Sequence, residues 1–264
     1  MSDYKLPPID LAPANPYSLL VQSPVLLAPG CSLREFQTDL VGGIATRTAT
    51  LHTRRGAPPR AVATPAGMVI SELPTIGIRT LLKEEGRRWE RSSVPVLVSL
   101  QGDAAECAEM AAMLENVEGV AALLLTPEAD IGQVVSLTRR ETPRPLLVFL
   151  PSGSDLRAAA ASAAASGADV LVVAAPPRTA AVADDPVEGF LLGPAAYPLT
   201  LQALLDLRSM LEIPVVAFGG IATEGIARAC LQAGAVAVMI DAAIWGDPAA
   251  VGRIARSLQE GGVT

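Results

Sequence analysis

Residues 213–243, IPVVAFGGIATEGIARACLQAGAVAVMIDAA, decide the fold. The stretch opens on an apolar strand, Val215–Phe218, and breaks at Gly219–Gly220. A helix starts at Thr223 and stops near Ala233–Gly234, before a second apolar strand over Ala237–Ile240. Strand, glycine turn, helix, strand is a βαβ unit, and its crossover requires parallel strands covered by helices. Glycines ahead of a helix N-terminus also offer bare N–H groups and a positive dipole end to an anion. Two readings of Gly219–Gly220 stay open: a phosphate cradle, or a strand-to-helix turn kept tight for packing.

Outward from this unit, short apolar runs suited to buried strands recur at Val25–Ala28, Gly43–Thr46, Val96–Leu100, Ala121–Leu125, Leu146–Leu150 and Val170–Ala174. With the two strands above, that makes eight. Helical patterns fall between most of them, over Ile76–Arg91, Ala104–Leu114, Ile131–Arg140, Leu156–Ser166, Leu199–Leu211, Glu224–Gln232 and Ala249–Gln259. Leu33–Val41 has room for a short helix. Proline enters a strand in SVPVLVSL, PRPLLVFL and EIPVVAFGG, and a glycine helix stop precedes one in SGADVLVV and AGAVAVMI. Near-continuous apolar strands alternating with helices mean a parallel α/β protein. Eight of them in 264 residues favour a single-domain (β/α)8 TIM barrel over an open sheet. The barrel is expected over residues 24–264, with residues 1–23 as an N-terminal extension or hairpin over its bottom, or a partner contact. Two long loops, Leu51–Ser71 after strand two and Pro176–Pro194 after strand six, leave from strand C-terminal ends, the face where barrel active sites lie.

Half of the residues are hydrophobic, so a large buried core is expected. A formal net charge of −7 argues against nucleic acid as the main partner. No apolar run reaches the roughly 18 residues of a membrane span. The opening MSDYKLPPIDLAPANPYS lacks the basic and apolar regions of a signal peptide, so a cytoplasmic protein is expected. Cys31, Cys107 and Cys230 are widely spaced and His52 is the only histidine, so neither a disulfide framework nor a metal site is expected. Lys5 and Lys83 are the only lysines, and neither falls on a predicted strand, which removes a Schiff-base nucleophile. No GxSxG, CxxC, HExxH or Walker pattern is present. The strand ends are poor in the titratable groups that acid–base catalysis needs, and no residue is assigned a catalytic role.

The chain resembles the dihydroorotate dehydrogenase family, in particular its soluble class 1 flavin enzymes. The matching pieces run in order: SPVLLAPGC at strand one, GGIATRTATL at strand two, GAPPRAVATPAGM in the following loop and VPVLVSLQG at strand three. SGADVLVV at strand six, LLGPAAYPLTLQALLDL, and IPVVAFGGI with AGAVAVMIDAAIW complete the set. The resemblance implies a barrel that binds FMN at its mouth, holds the phosphate with the loops after strands seven and eight, and oxidises dihydroorotate by hydride transfer in pyrimidine synthesis. On that pattern the cofactor-binding positions are Ala28, Gly30, Arg47, Thr48, Gly193, Gly219 and Gly220. It also implies a homo-oligomer, or a hetero-complex with a second, flavoprotein subunit.

Carried over position by position, most of the family's chemistry is replaced. The flavin-binding lysine of strand two falls on Arg47, whose planar fork is not equivalent to a compact ammonium. The substrate loop after AGM reads Val69–Ile70–Ser71–Glu72, without the expected amides. The asparagines ending strands three and four fall on Ser99 and Thr126, and the loop of the Cys or Ser base reads Pro127–Glu128–Ala129–Asp130. The strand-five lysine falls on Phe149, the Asn-Thr pair after strand six on Ala175–Pro176, and the serine before Gly193 on Leu192. The phosphate donors of the last strand fall on Asp241–Ala242. A carboxylate only accepts hydrogen bonds, and at an effective dielectric near 20, like charges about 4 Å apart repel by roughly 4 kcal/mol. Asp241 also reads as the cap of a short helix over Ala242–Trp245.

The remaining candidates carry paired readings. Arg47, Arg54, Arg55 and Arg60 cluster around the strand-two loop, with Arg54 and Arg60 the candidate ligands for a small anion, or they form a solvated face paired with acidic neighbours. Cys31 is a mouth thiol or a small buried apolar residue. Glu128 and Asp130 are a base or magnesium ligands, or helix caps. Three functions remain in play. The first is a degenerate family member without FMN, serving as a non-catalytic subunit, scaffold or ligand-binding protein. The second is an FMN-dependent oxidoreductase that uses Arg47 and the Gly219–Gly220 loop on dihydroorotate or another substrate. The third is an FMN-free enzyme acting on an anionic substrate through the arginine loop.

Overall fold

Eight parallel strands pair in sequence order and close on themselves. They are β1 (Val25–Leu27), β2 (Gly43–Ala45), β3 (Val96–Gly102), β4 (Val120–Pro127), β5 (Leu146–Pro151), β6 (Val170–Ala175), β7 (Val215–Phe218) and β8 (Ala237–Ile240). The structure is a computed structural model that describes residues 7–31, 38–54, 58–71, 75–151, 153, 155–210, 212–241, 247 and 249–260. β8 pairs with β1 through Val238–Val25, Met239–Leu26 and Ile240–Leu27, which closes the (β/α)8 barrel. The helices are α1 (Ile78–Trp89), α2 (Ala104–Leu114), α3 (Ile131–Glu141), α4 (Leu156–Ala165), α5 (Tyr197–Leu207), α6 (Glu224–Gln232) and α7 (Ala249–Glu260).

The strands read as continuous apolar runs because both of their faces are buried. Leu26, Leu97, Leu124, Leu147, Val172 and Met239 fill the barrel interior. Their neighbours Leu27, Val98, Leu123, Val148, Leu171 and Val238 pack outward under the helices. Among the elements, β7, β8, α2 and α6 have the predicted bounds. α5 departs most, starting at Tyr197 instead of Leu199 and ending at Leu207 instead of Leu211. Pro198 lies in its first turn, where a missing N–H costs nothing, so the helix begins upstream of its leucine pattern. Within Leu33–Val41 a 3-10 turn covers Thr38–Leu40, and residues 32–37 lie outside the described residues.

At the bottom, Ile9–Asp10 pairs antiparallel with Leu20–Val21. Leu11, Ala12, Leu19 and Val21 are buried in the same cluster as the barrel interior, so this hairpin plugs the barrel. Its turn is tied down by Asn15, whose amide donates to Pro143 O and to Asp169 Oδ2, both at 3.1 Å. Asp169 Oδ2 also accepts the Leu146 N–H at 2.8 Å and the Arg139 guanidinium. One carboxylate thus joins the hairpin, α3 and the start of β5.

The segments 51–71 and 176–194, expected as loops, are a correction. Each contains a hairpin, Ala61–Thr64 with Gly67–Ile70 and Arg178–Val182 with Pro186–Leu192. The two hairpins join through Phe190–Ile70, Leu191–Val69 and Leu192–Met68 into one four-stranded antiparallel sheet. These strands are short and half-exposed, so they lack the apolar continuity that marks the barrel strands. Gly67 and Gly193, at φ +136° and +133°, meet where the hairpins join. A Cβ on Gly193 would stand 2.9 Å from the Gly67 Cα, so neither position has room for a side chain.

Asp169→Ala removes three partners at once from a largely buried carboxylate. It is expected to lower stability by about 3 kcal/mol, read as a lower urea midpoint at unchanged m-value.

Candidate functional site

The C-terminal ends of the strands form the barrel mouth, flanked by the sheet that grows out of the β2 and β6 connections. Phe149 of β5 and Phe218 of β7 pack into the interior cluster, with ring centroids 5.2 Å apart and planes tilted by 51°. Tilted aromatic pairs are favourable because ring edges and faces carry opposite partial charge. The pair roofs the interior with apolar surface, 8 % and 7 % exposed. Asp241, the residue after β8, is also buried, at 8 % exposed. The helix it was expected to cap, over residues 242–245, lies outside the described residues.

Where β8 meets β1, the buried Ala28 donates its N–H to Ile240 O at 2.9 Å. Gly30 adopts φ +89° with open space where a side chain would stand. Cys31 is half-buried, its thiol 3.8 Å from the same Ile240 carbonyl. Across β2 and β3 the small hydroxyls satisfy one another. Thr48 Oγ1 lies 3.0 Å from Ser99 Oγ, and Thr46 Oγ1 accepts the Ser99 N–H at 3.1 Å.

The described arginines of the β2 connection, Arg47, Arg54 and Arg60, do not converge. Arg47 Nη2 pairs with Glu84 at 2.6 Å and its Nε with Glu85 at 2.8 Å, both on α1. The bond to Glu84, then that to Glu85, raises the Arg47 pKa above its ordinary value. Arg54 pairs with Glu128 at 2.5 Å and Glu106 at 3.3 Å. Arg60 Nη2 reaches the Asp185 carbonyl of the second hairpin at 3.4 Å, and Arg55 lies outside the described residues. Glu128 also accepts from Gln101 Nε2 at 2.8 Å, so it is no helix cap. Capping of α3 falls to Asp130, whose carboxylate accepts the Gln133 N–H at 2.8 Å. The Arg54 bond holds the Glu128 pKa below the ordinary carboxylate range, and Glu128 in return raises that of Arg54. Gln101 was missed in the sequence, although its signal was there: it continues the inward alternation of Leu97 and Ser99 along β3.

Gly219 and Gly220 adopt φ +107° and +73°. A Cβ on Gly219 would lie 2.9 Å from Ala174 O and 3.1 Å from Thr200 Oγ1, and one on Gly220 would overlap the Tyr197 backbone. The Thr200 hydroxyl lies 2.8 Å from Gly219 O and 3.0 Å from Phe218 O. The turn after β7 is thus pressed against the start of α5, to which Gly193 leads. Among the described residues, no group of three or more His, Cys, Asp or Glu is arranged to hold a metal ion. No described helix is long and apolar enough to cross a membrane.

No family model matches the chain. It is, however, similar to curated proteins along most of its length. The dihydroorotate dehydrogenase B (NAD(+)) catalytic subunit of Desulforudis audaxviator is 31% identical over 92% of this chain and 89% of its own length. That of Pelobacter propionicus is 31% identical over 93% and 91%, and that of Pyrococcus furiosus 31% identical over 87% and 86%.

Because Glu128 has a lower pKa folded than unfolded, its pairing with Arg54 stabilises fully above the ordinary carboxylate range and is lost as pH falls through the depressed value. In a carboxyl-carbon NMR titration, Glu128 is expected to titrate below exposed glutamates, and Arg54→Ala to move it back up. Burial pushes the Cys107 and Cys230 thiols up to about 12. Native alkylation followed by mass spectrometry is therefore expected to label Cys31 well before either of them.

Proposed function

The chain belongs to the dihydroorotate dehydrogenase family, and from that premise we propose that it is a non-catalytic member, a barrel acting as a protein subunit or ligand-binding scaffold without FMN. The observation that carries this reading is the commitment of Arg47. At the position where the resemblance places a flavin-binding lysine, its guanidinium is held by Glu84 and Glu85 on α1.

The rest of the donor set points the same way. Phe149 stands where the resemblance places a second lysine, and it packs at a tilt against Phe218 with no charge to offer a reduced flavin. A flavin phosphate would bring a dianion toward the buried Asp241 in place of hydroxyl and amide donors. The Gly219–Gly220 turn is accounted for by its contact with α5, since the space beside it is filled by Tyr197 and Thr200. These residues do not fit the group, and no redox step is assigned to the chain.

The relatives are catalytic subunits by name. By analogy this chain works inside an assembly, as a homo-oligomer or beside a second protein, and the expected compartment is the cytoplasm. The same 31% identity to catalytic subunits favours the rival reading, an FMN-dependent oxidoreductase.

A visible absorption spectrum before and after incubation with excess FMN separates the two. The expected result is a colourless protein that returns free FMN on gel filtration and does not turn over dihydroorotate. Stoichiometric bound flavin, or turnover, overturns the proposal.

A further inference from the structure

We propose that the outer face of α1 docks an extended acidic segment of a partner protein, one with carboxylates at alternate positions. The helix turns Ile78, Leu81 and Trp89 into the core between strands and helices. Its opposite face carries Arg79, Lys83 and Arg87, spaced four residues apart so that they form one row. Arg88 flanks the row, and Arg91 follows just past the helix end. Five of the chain's 20 lysines and arginines thus fall on one element and its exit, in a protein of formal net charge −7. All five are exposed.

Among the described residues, none of these five side chains has an ion-pair or hydrogen-bond partner. The acids of the same helix are used elsewhere, since Glu84 and Glu85 receive Arg47. The helix itself does not call for the row. Cations in the last turn suit the helix dipole, which accounts for Arg87 and Arg88. Arg79 stands instead in the first turn, at the positive end, where no acidic residue offsets it and Gly77 supplies no side-chain cap. Like charges at i and i+4 also repel one another along the row. The row therefore works against the helix, and its compensation comes from a negative group outside the chain.

The spacing selects the form of that group. Four residues of α-helix advance about 6 Å and two residues of extended chain about 6.6 Å, so Arg79, Lys83 and Arg87 keep step with every second side chain of a strand-like peptide. Two other polyanions fit less well. The exposed side chains of α1 include no apolar one to enter a bilayer, and Trp89 is buried, so it offers no platform to a nucleic-acid base. The face lies on the outside of the barrel, and its role does not depend on whether FMN binds.

The probe is an acetylated, amidated peptide of four Glu-Thr repeats, titrated into the ¹⁵N-labelled full chain at low salt and followed by NMR. Expected are saturable shifts over residues 79–91 that weaken as salt rises. Arg79→Glu combined with Arg87→Glu, both at exposed positions, is expected to weaken binding at least about tenfold. Arg140→Glu combined with Arg208→Glu makes the same change in net charge on other exposed surfaces, and is expected to weaken it less than about twofold. A peptide of the same composition with its glutamates in one block is expected to bind at least about threefold more weakly than the alternating one. No saturable shift, the result for a face that is simply solvated, overturns the proposal. So does an equal loss from the two double variants, or equal affinity for the two peptides. Tighter binding of a thymidine oligonucleotide of equal charge, or of phosphatidylserine vesicles, also overturns it.

Discussion

The closure of β8 onto β1 is the constraint on which the rest of the molecule depends. An open sheet of these eight strands would leave two edges of unpaired N–H and C=O groups and one apolar face in water. Closure removes both penalties, and it requires that every strand bury two faces. It also fixes where polar groups can go. With the interior filled by Leu, Val and Met, charged side chains are kept out of it and stand at the two rims and on the outer helices. The upper rim holds Asp241, Arg54 and Glu128, and the lower rim Asp169, Arg139, Glu115 and Arg144.

The two rims solve their electrostatics differently. Below, Asp169 is nearly saturated, accepting from a side-chain amide, a backbone N–H and a guanidinium, so it works as a structural clamp. Arg144 donates to the carbonyls of Glu115, Val117 and Val120 and lies 4.0 Å from the Glu115 carboxylate, so it ties the segment after α2 to the starts of β4 and β5. Above, Arg54 and Glu128 are half-exposed and screened by water, so their pairing adds little to stability. Its consequence is geometric. The connection after β2 is held to the end of β4 and to the first turn of α2.

The framework was legible in the sequence because two-sided burial writes itself into composition. Runs such as VLVSL, LLVFL and VLVVA have no other economical use in an α/β chain, and glycine helix stops set the boundaries. The upper sheet was not legible. AVAT and RTAAV are half-exposed strands flanked by prolines and glycines, and in isolation they are indistinguishable from loop. What makes them strands is tertiary: each hairpin completes the other, at a crossing that only Gly67 and Gly193 permit. The candidate site was legible as a set of positions and not as a set of partners. Arg47 stands at the expected place on β2, but nothing local to GGIATRTATL announces that α1 carries two glutamates to receive it. Gln101 could have been found by extending the alternation of Leu97 and Ser99, since β3 runs two residues beyond its apolar core.

That partnering bears on function through preorganisation. A site built to bind a charged ligand holds complementary groups aimed at the place the ligand will occupy, and keeps them from neutralising one another beforehand. At this mouth Arg47 goes to Glu84 and Glu85, and Arg54 to Glu128 and Glu106. Thr48 goes to Ser99, and Phe149 to Phe218. An incoming anion that draws on Arg47 or Arg54 would have to compete with these ion pairs, and that competition subtracts from its binding free energy. On the reading proposed above, the framework of the family and the demands of its cofactor are separable here. Folding depends on the alternation of buried faces, which is intact, whereas holding a flavin depends on unspent donors at the strand ends. Among the described residues of this rim, Arg47, Arg54, Thr48 and Ser99 are partnered within the protein.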